Sequence, residues 1–444
     1  MGAIEHYSGL FSARRAALPG AGLPWLDASR AAALAHFTAH GLPGPRDEDW
    51  KYTSLRALDS LPFAPAAAPC VGMDLDDIAA LRCAGPDTHL LTFLNGHFTP
   101  ALSRPGQLPA GVTFKPLARA LAEDAALLEA HLGHLANPTA HGLAALNTAL
   151  AQDGAVLFIP DGVQLTRPVE CLFLSTGQEA HIASHFRLLV LAGRLSQATV
   201  LESFALLESG AATHLNSITT ELSLAEGARL DHYKIQQEGS GAYHFATLAA
   251  ALARDSRLVS HQVALGALLA RTGIELQLNA PGATCELNGL YVTGGRQHVD
   301  FHTRVNHWQP HGTSSEYYKG ILDGRSRAVF NGVAVVHPGA DKSDAQQSNK
   351  NLLLSPDAEA DTKPQLEIFA DDVKCSHGAT VGQLDEQMLF YLRSRGLGEH
   401  QARALLVYGF AHDVVERMGL AAVRAHLEQV LIHRLPGVET APVA

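Results

Sequence analysis

AEGARL from Ala225, ARDSRL from Ala253, APGATC from Ala280, PHGTSS from Pro310 and HPGADK from His337 are variants of one turn. Each runs through a small residue or proline, then glycine or aspartate, then a small residue and a return to strand-like sequence. Their first residues stand 28, 27, 30 and 27 positions apart. A near-constant period of this size marks a solenoid, and units made of strands make it a stack of the β-helix kind. The segments joining the turns are short alternating or apolar runs rich in Val, Leu, Ile and Thr, from Gly154 to Gly382. They are not similar to one another, so the repeat is structural. On pattern alone, a large β-sandwich with regular turn spacing is the alternative.

The flanks have a different texture. Leu26, Arg30, Ala33, Leu34 and Phe37 recur at helical spacing, with Asp27 as the expected N-cap and Gly41 and Pro43 as the stop. LLTFLNGHF, from Leu90 to Phe98, predicts a hairpin turning at Asn95-Gly96. Leu117–Leu132 and Leu143–Leu150 return to helical spacing. Beyond Gly382, Asp385–Arg395, Glu399–Arg417 and Ala421–Arg434 read as helices closed by Gly396, Gly419 and Pro436. The expected organisation is mainly β with helical ends. Residues 1–150 form a mainly helical domain, 151–382 a parallel β-helix core and 383–444 a helical domain.

Composition narrows the function. The 444 residues carry 33 Lys and Arg against 44 Asp and Glu, a formal net charge of −11, which opposes binding to nucleic acid or anionic lipid. No apolar run is long enough to span a bilayer, and no signal-peptide pattern opens the chain. Five sparse cysteines, Cys70, Cys83, Cys171, Cys285 and Cys375, form no C-x-x-C pair and fit a reducing, cytoplasmic setting. Gly-Lys never occurs, so there is no Walker A loop, and G-x-G-x-x-G, G-x-S-x-G and H-E-x-x-H are also absent. A β-helix enzyme acting on carbohydrate is the rival reading, but Asp231, Asp255 and Asp300 have no spacing that converges on one face.

Metal chemistry has two sources. His298, His302, His307 and His311 lie in one stretch, although a histidine-rich composition also scatters polar residues this way. In DDVKCSHG, from Asp371, an extended strand would project Cys375 and His377 from one face with Ser376 opposite. A thiol beside an imidazole is half of a tetrahedral site, so other ligands must come from elsewhere or from another chain.

EIFADDVKCSHGATVGQLDEQMLFYLRSRGL, from Glu367 to Leu397, resembles the C-terminal signature of the SufB/SufD family of iron–sulfur cluster assembly proteins. DEDWKYTSL from Asp47, ALNTALAQDGAVLFIPDGV from Ala145 and ARALLVYGFAHDVVERM from Ala402 extend the resemblance along the chain. The form CSHGATVGQLDE, without an N-terminal C-x-x-C segment, is similar to the SufD branch. The resemblance implies a right-handed parallel β-helix between helical domains and a non-enzymatic scaffold role. It implies a heterodimer with SufB, contact with the ATPase SufC, and an indirect link to the cysteine desulfurase system. It also implies a transient iron–sulfur cluster or iron at the SufB interface, with His377 as ligand, Cys375 as the weaker candidate and the remaining ligands from SufB. No nucleotide would bind this chain itself. Whether a reduced flavin joins the complex is left open. Phe390, Tyr391, Tyr408 and Phe410 are the expected SufC contact, although helical spacing equally allows them to be core. Trp50 and Tyr52 are expected to be packing anchors. An unpaired solenoid edge also allows a homodimer of the isolated chain.

Overall fold

The computed structural model describes residues 2–67, 72–177, 181–207 and 213–435; Cys70 and Pro436 lie outside them. From Val169 onward, successive strands alternate between two sheets and pair in parallel with the strand one circuit earlier. The result is a solenoid with a ten-stranded and a nine-stranded wall. The five recurrent turns all sit at one corner, where the chain passes from the nine-stranded to the ten-stranded wall. Each contains a left-handed residue, Gly227, Asp255, Gly282, His311 and Gly339, with φ of 67°, 54°, 75°, 62° and 82°, and the last turn has a second at Lys342, with φ of 62°. That conformation favours glycine and tolerates aspartate, which accounts for the turn pattern. Neighbouring turns also bond to each other, as Gly227 N–H to the Arg254 carbonyl at 2.9 Å and Asp255 N–H to the Pro281 carbonyl at 3.1 Å.

Because side chains alternate along a strand, each wall has an inward and an outward face, and parallel register stacks inward residues into columns. Phe93, Phe173 and Phe204 are in register, with ring centroids 5.2 and 4.6 Å apart, and Phe186 of the other wall closes on Phe173 at 4.4 Å. Further along, the interior becomes polar: Glu202 meets His232 at 2.8 Å, and Glu238 meets His244 at 2.8 Å. Buried polar groups are tolerated there because they pair with one another.

The N-terminal end is capped by its own chain. Strand His89–Leu94 already belongs to the ten-stranded wall, so strands begin well before residue 151. It turns at Asn95-Gly96, both left-handed, and pairs antiparallel with His97–Phe98. On the other wall, Thr113–Pro116 pairs antiparallel with Asp153–Ile159. The first long helix spans Pro24–His40, with Pro24 at its first turn. Asp27 therefore lies inside the helix rather than at its cap, accepting from the Gly22 N–H at 3.0 Å; proline, whose missing N–H costs nothing there, set the start. The helical run from Leu117 divides into Leu117–Glu123 and Ala125–His131, interrupted at Asp124.

Outward faces carry the flanking segments. Trp50, Leu55, Leu58 and Phe63 pack on Leu215, Tyr243, Phe245 and Leu269 of the nine-stranded wall. Helices Glu399–Val415 and Ala421–Arg434 lay Val407, Ala411, Val414, Leu427 and Leu431 on Tyr233, Ile235, Val263 and Ile321 of the ten-stranded wall. Fully burying a Val, Leu or Ile side chain in this way contributes about 1.5–3 kcal/mol.

Candidate functional site

Strands Glu359–Ile368 and Lys374–Gly382 are the last of the two walls, each paired on one side only. Pro364 sits in the first of them, where a missing N–H suits an edge position. Almost every residue of Lys374–Gly382 is exposed. Cys375 is in register with Ala345, and His377 with Gln347. Ala345 and Gln347 are buried and point between the walls, so Cys375 and His377 continue the inward columns where the stack stops. The other inward positions at this end are Ala379 and Val381 on one strand and Ala360, Thr362, Pro364 and Leu366 on the other. Cys375 and His377 are thus the side chains among them of a chemical type that can ligate a metal. Ser376 points outward and bonds Gln346.

The pair is incomplete. Among the described residues no group of three or more His, Cys, Asp or Glu is placed to hold a metal ion. Burial pushes the Cys375 thiol up, and the Asp344 charge adds to this against a backbone hydrogen bond from Ala345. The thiolate is therefore disfavoured in the isolated chain. Behind His377 lies a residue pair that the local motif did not reveal: Gln347 donates to Glu316 at 2.9 Å, one circuit further in. Burial raises the Glu316 carboxyl to about 7, opposed by hydrogen bonds from Thr303 and Gln347. The signal was available as the recurrence 316, 347, 377, one coil per step.

The other candidates separate. His298 and His302 face outward: His298 contacts the Thr53 hydroxyl at 2.9 Å, and His302 contacts Asp300 at 3.0 Å. His307 faces inward onto Ser314 at 2.8 Å, and His311 occupies a turn. Asp231 lies on the ten-stranded wall, Asp255 in a corner and Asp300 on the nine-stranded wall, so these three carboxylates do not converge. Asp300 is held low, despite burial, by Arg271 and His302. Arg271 in turn stacks on Trp50, its guanidinium 3.8 Å from a ring centre, which makes Trp50 a packing anchor. A cleft of about 250 Å³ opens beside them, between Trp50, His141 and Asn147 and the wall residues Thr247, Gly273 and His302.

The four aromatics of the C-terminal helices divide likewise. Phe390 and Tyr391 are 73% and 55% exposed on helix Glu386–Ser394, which also exposes Met388, and Leu405 is exposed on helix Glu399–Val415. Tyr408 and Phe410 are half-buried against the ten-stranded wall, where the Lys319 ammonium lies 4.4 Å from the Phe410 ring centre. Tyr317 and Lys319 both reach Asp413 at 2.5 Å and tie the helix to the wall.

Residues 173–410 match the family model described as SUF system FeS cluster assembly, SufBD core domain, and residues 1–171 match the SufBD protein N-terminal region. The chain belongs to the SufBD family. An iron–sulfur cluster assembly SufBD family protein of Synechocystis is 35% identical over 396 residues, covering 87% of this chain and 86% of that one. The iron–sulfur cluster assembly protein SufD of Escherichia coli is 33% identical over 400 residues, 89% and 90% of the two chains. SufD of Bacillus subtilis is 28% identical over 419 residues, 92% and 93%. The SufBD core match runs through the strand that carries Cys375 and His377 and into the C-terminal helices.

Proposed function

We propose that this chain is a SufD-like scaffold subunit of iron–sulfur cluster assembly whose open solenoid end docks a SufB subunit. The observation that carries this reading is the bare last coil, with Cys375 and His377 as its inward metal-binding side chains and too few ligands to close a site. A partner adding its own coil there would satisfy the two unpaired strand edges and bring the remaining ligands. The nascent cluster or iron is cargo held between two chains, with His377 as this chain's ligand and Cys375 joining once a metal draws off its proton.

The exposed apolar side chains Phe390, Tyr391, Met388 and Leu405 are the contact for the ATPase SufC, together with half-buried Tyr408 and Phe410. Since helix Glu399–Val415 is tied to the ten-stranded wall through Asp413, movement of the ATPase would be transmitted to the wall that carries His377. This chain supplies binding and positioning, and nucleotide hydrolysis belongs to SufC. The free buried thiols Cys83, Cys171 and Cys285 suit a reducing cytoplasm.

The test is co-purification with SufB and SufC partners, followed by anaerobic reconstitution with iron and sulfide. His377→Ala is expected to fold and assemble normally while cluster yield falls about tenfold, the scale on which metal sites respond even to loss of supporting groups. An unchanged yield removes His377 from the site, and failure to form any complex removes the scaffold reading.

A further inference from the structure

Three residues share one inward column on the ten-stranded wall: Glu316, Gln347 one coil on, and His377 one coil beyond that. Glu316 and Gln347 are buried. Glu316 is gripped from both walls, since the Thr303 hydroxyl donates to its Oε2 at 2.5 Å and Gln347 Nε2 donates to its Oε1 at 2.9 Å. With its nitrogen committed to the carboxylate, the Gln347 amide is fixed in one orientation. Its Oε1 is then buried without a hydrogen-bond partner among the described residues. A buried acceptor left in this state is costly, and native proteins keep such groups where something else uses them. His377 makes no side-chain hydrogen bond among the described residues. Adjacent strands lie about 4.8 Å apart, so the next side chain in the column stands directly over the amide.

We propose that Glu316 and Gln347 are a buried positioning relay for His377: Gln347 Oε1 accepts one ring N–H and leaves the other ring nitrogen free for metal. Histidines that bind metals generally donate their second nitrogen to such an acceptor, which sets both the tautomer and the ring plane. Here the acceptor is held by a carboxylate that is itself anchored across the solenoid, so the ligand at the open edge inherits order from the interior. Neither Glu316 nor Gln347 touches the metal. The inference rests on His377 being a ligand of the shared cluster.

The first readout needs no cluster. Nitrogen-15 labelling of the histidines in the isolated chain, with the His377 signal assigned by its loss in His377→Gln, reports which ring nitrogen carries the proton. At about pH 8 Glu316 is ionised and the hydrogen bonds have the sense given above. Wild type is expected to hold one His377 tautomer, and Gln347→Leu to give the mixture of a free imidazole. Cluster yield with the SufB and SufC partners should fall on the order of tenfold in the same variant. The exchanged pair Glu316→Gln with Gln347→Glu reverses the bond between the two positions, with the amide at 316 now donating to the carboxylate at 347, and keeps an acceptor facing His377. It should fold, as read by its melting curve, and return both the single tautomer and the yield.

The relay is overturned if Gln347→Leu leaves the tautomer unchanged, or if the exchanged pair folds and stays mixed. Failure of the parent reading looks different: His377→Ala would then assemble cluster at the wild-type level, whatever the tautomer measurement gives.

Discussion

The two ends of the solenoid have the same strands and the same spacing but opposite finishes. At the N-terminal end an antiparallel hairpin and a reversed strand close the walls, and a ladder of phenylalanines fills the space between them. At the C-terminal end the last two strands are bare, and the inward columns run out through Gln347 and Asn349 to His377 and Ala379. Edge strands ordinarily invite aggregation, so proteins cover them or use them. On the function proposed above, the covered end supplies stability and the bare end is kept for a partner.

The largest test of that contrast lies in the ladder. Phe173→Ala removes the ring stacked between Phe93 and Phe204 and should cost about 3–5 kcal/mol in denaturant unfolding. A cost below about 1 kcal/mol would mean that the capped end is not the stable one. Next comes a pH effect at the same end. Burial raises the Glu170 carboxyl to about 7 from 4.5, against hydrogen bonds from Ser203 and the Cys83 N–H. The folded chain therefore keeps a proton that the unfolded chain releases, so stability falls as pH rises from about 4.5 through 7 and then levels. Glu170→Gln should flatten that slope, which is worth on the order of 3 kcal/mol. An equal slope in both proteins would assign it to other groups.

Mid-solenoid, a Cβ on Gly289 would stand 2.0 Å from the Tyr318 ring. Gly289→Ala should destabilise by about 1–3 kcal/mol through overpacking, and a neutral result would show that the interior yields there. The smallest effect belongs to the open end. Asp372→Ala breaks an exposed pair with Lys342 and should shift the stability of the isolated chain by less than about 0.5 kcal/mol. A larger loss would show that the last coil carries structural weight of its own.

Much of this architecture is legible in the sequence alone. The turn period reports the coil length because each turn needs a left-handed residue, and glycine or aspartate supplies one in four of the five. The Asn95-Gly96 hairpin followed from the same preference. Cys375 and His377 could be placed on one face by strand parity alone. Local sequence did not reveal that the strand His89–Leu94 joins a wall whose next member begins at Val169, since that pairing is made across distant chain. Nor could it separate exposed Phe390 and Tyr391 from half-buried Tyr408 and Phe410, because helical spacing permits either and the wall beneath decides. The column behind His377 was hidden for a similar reason: its members are neighbours only after the coils stack.

If the bare last coil is the docking face proposed above, amide hydrogen exchange reads it directly. Exchange should be fast along 374–382 in the isolated chain and markedly slowed when SufB is bound, with 89–98 slow in both states. A bound state in which 359–382 exchanges as fast as in the free chain, with protection appearing elsewhere, would contradict the account.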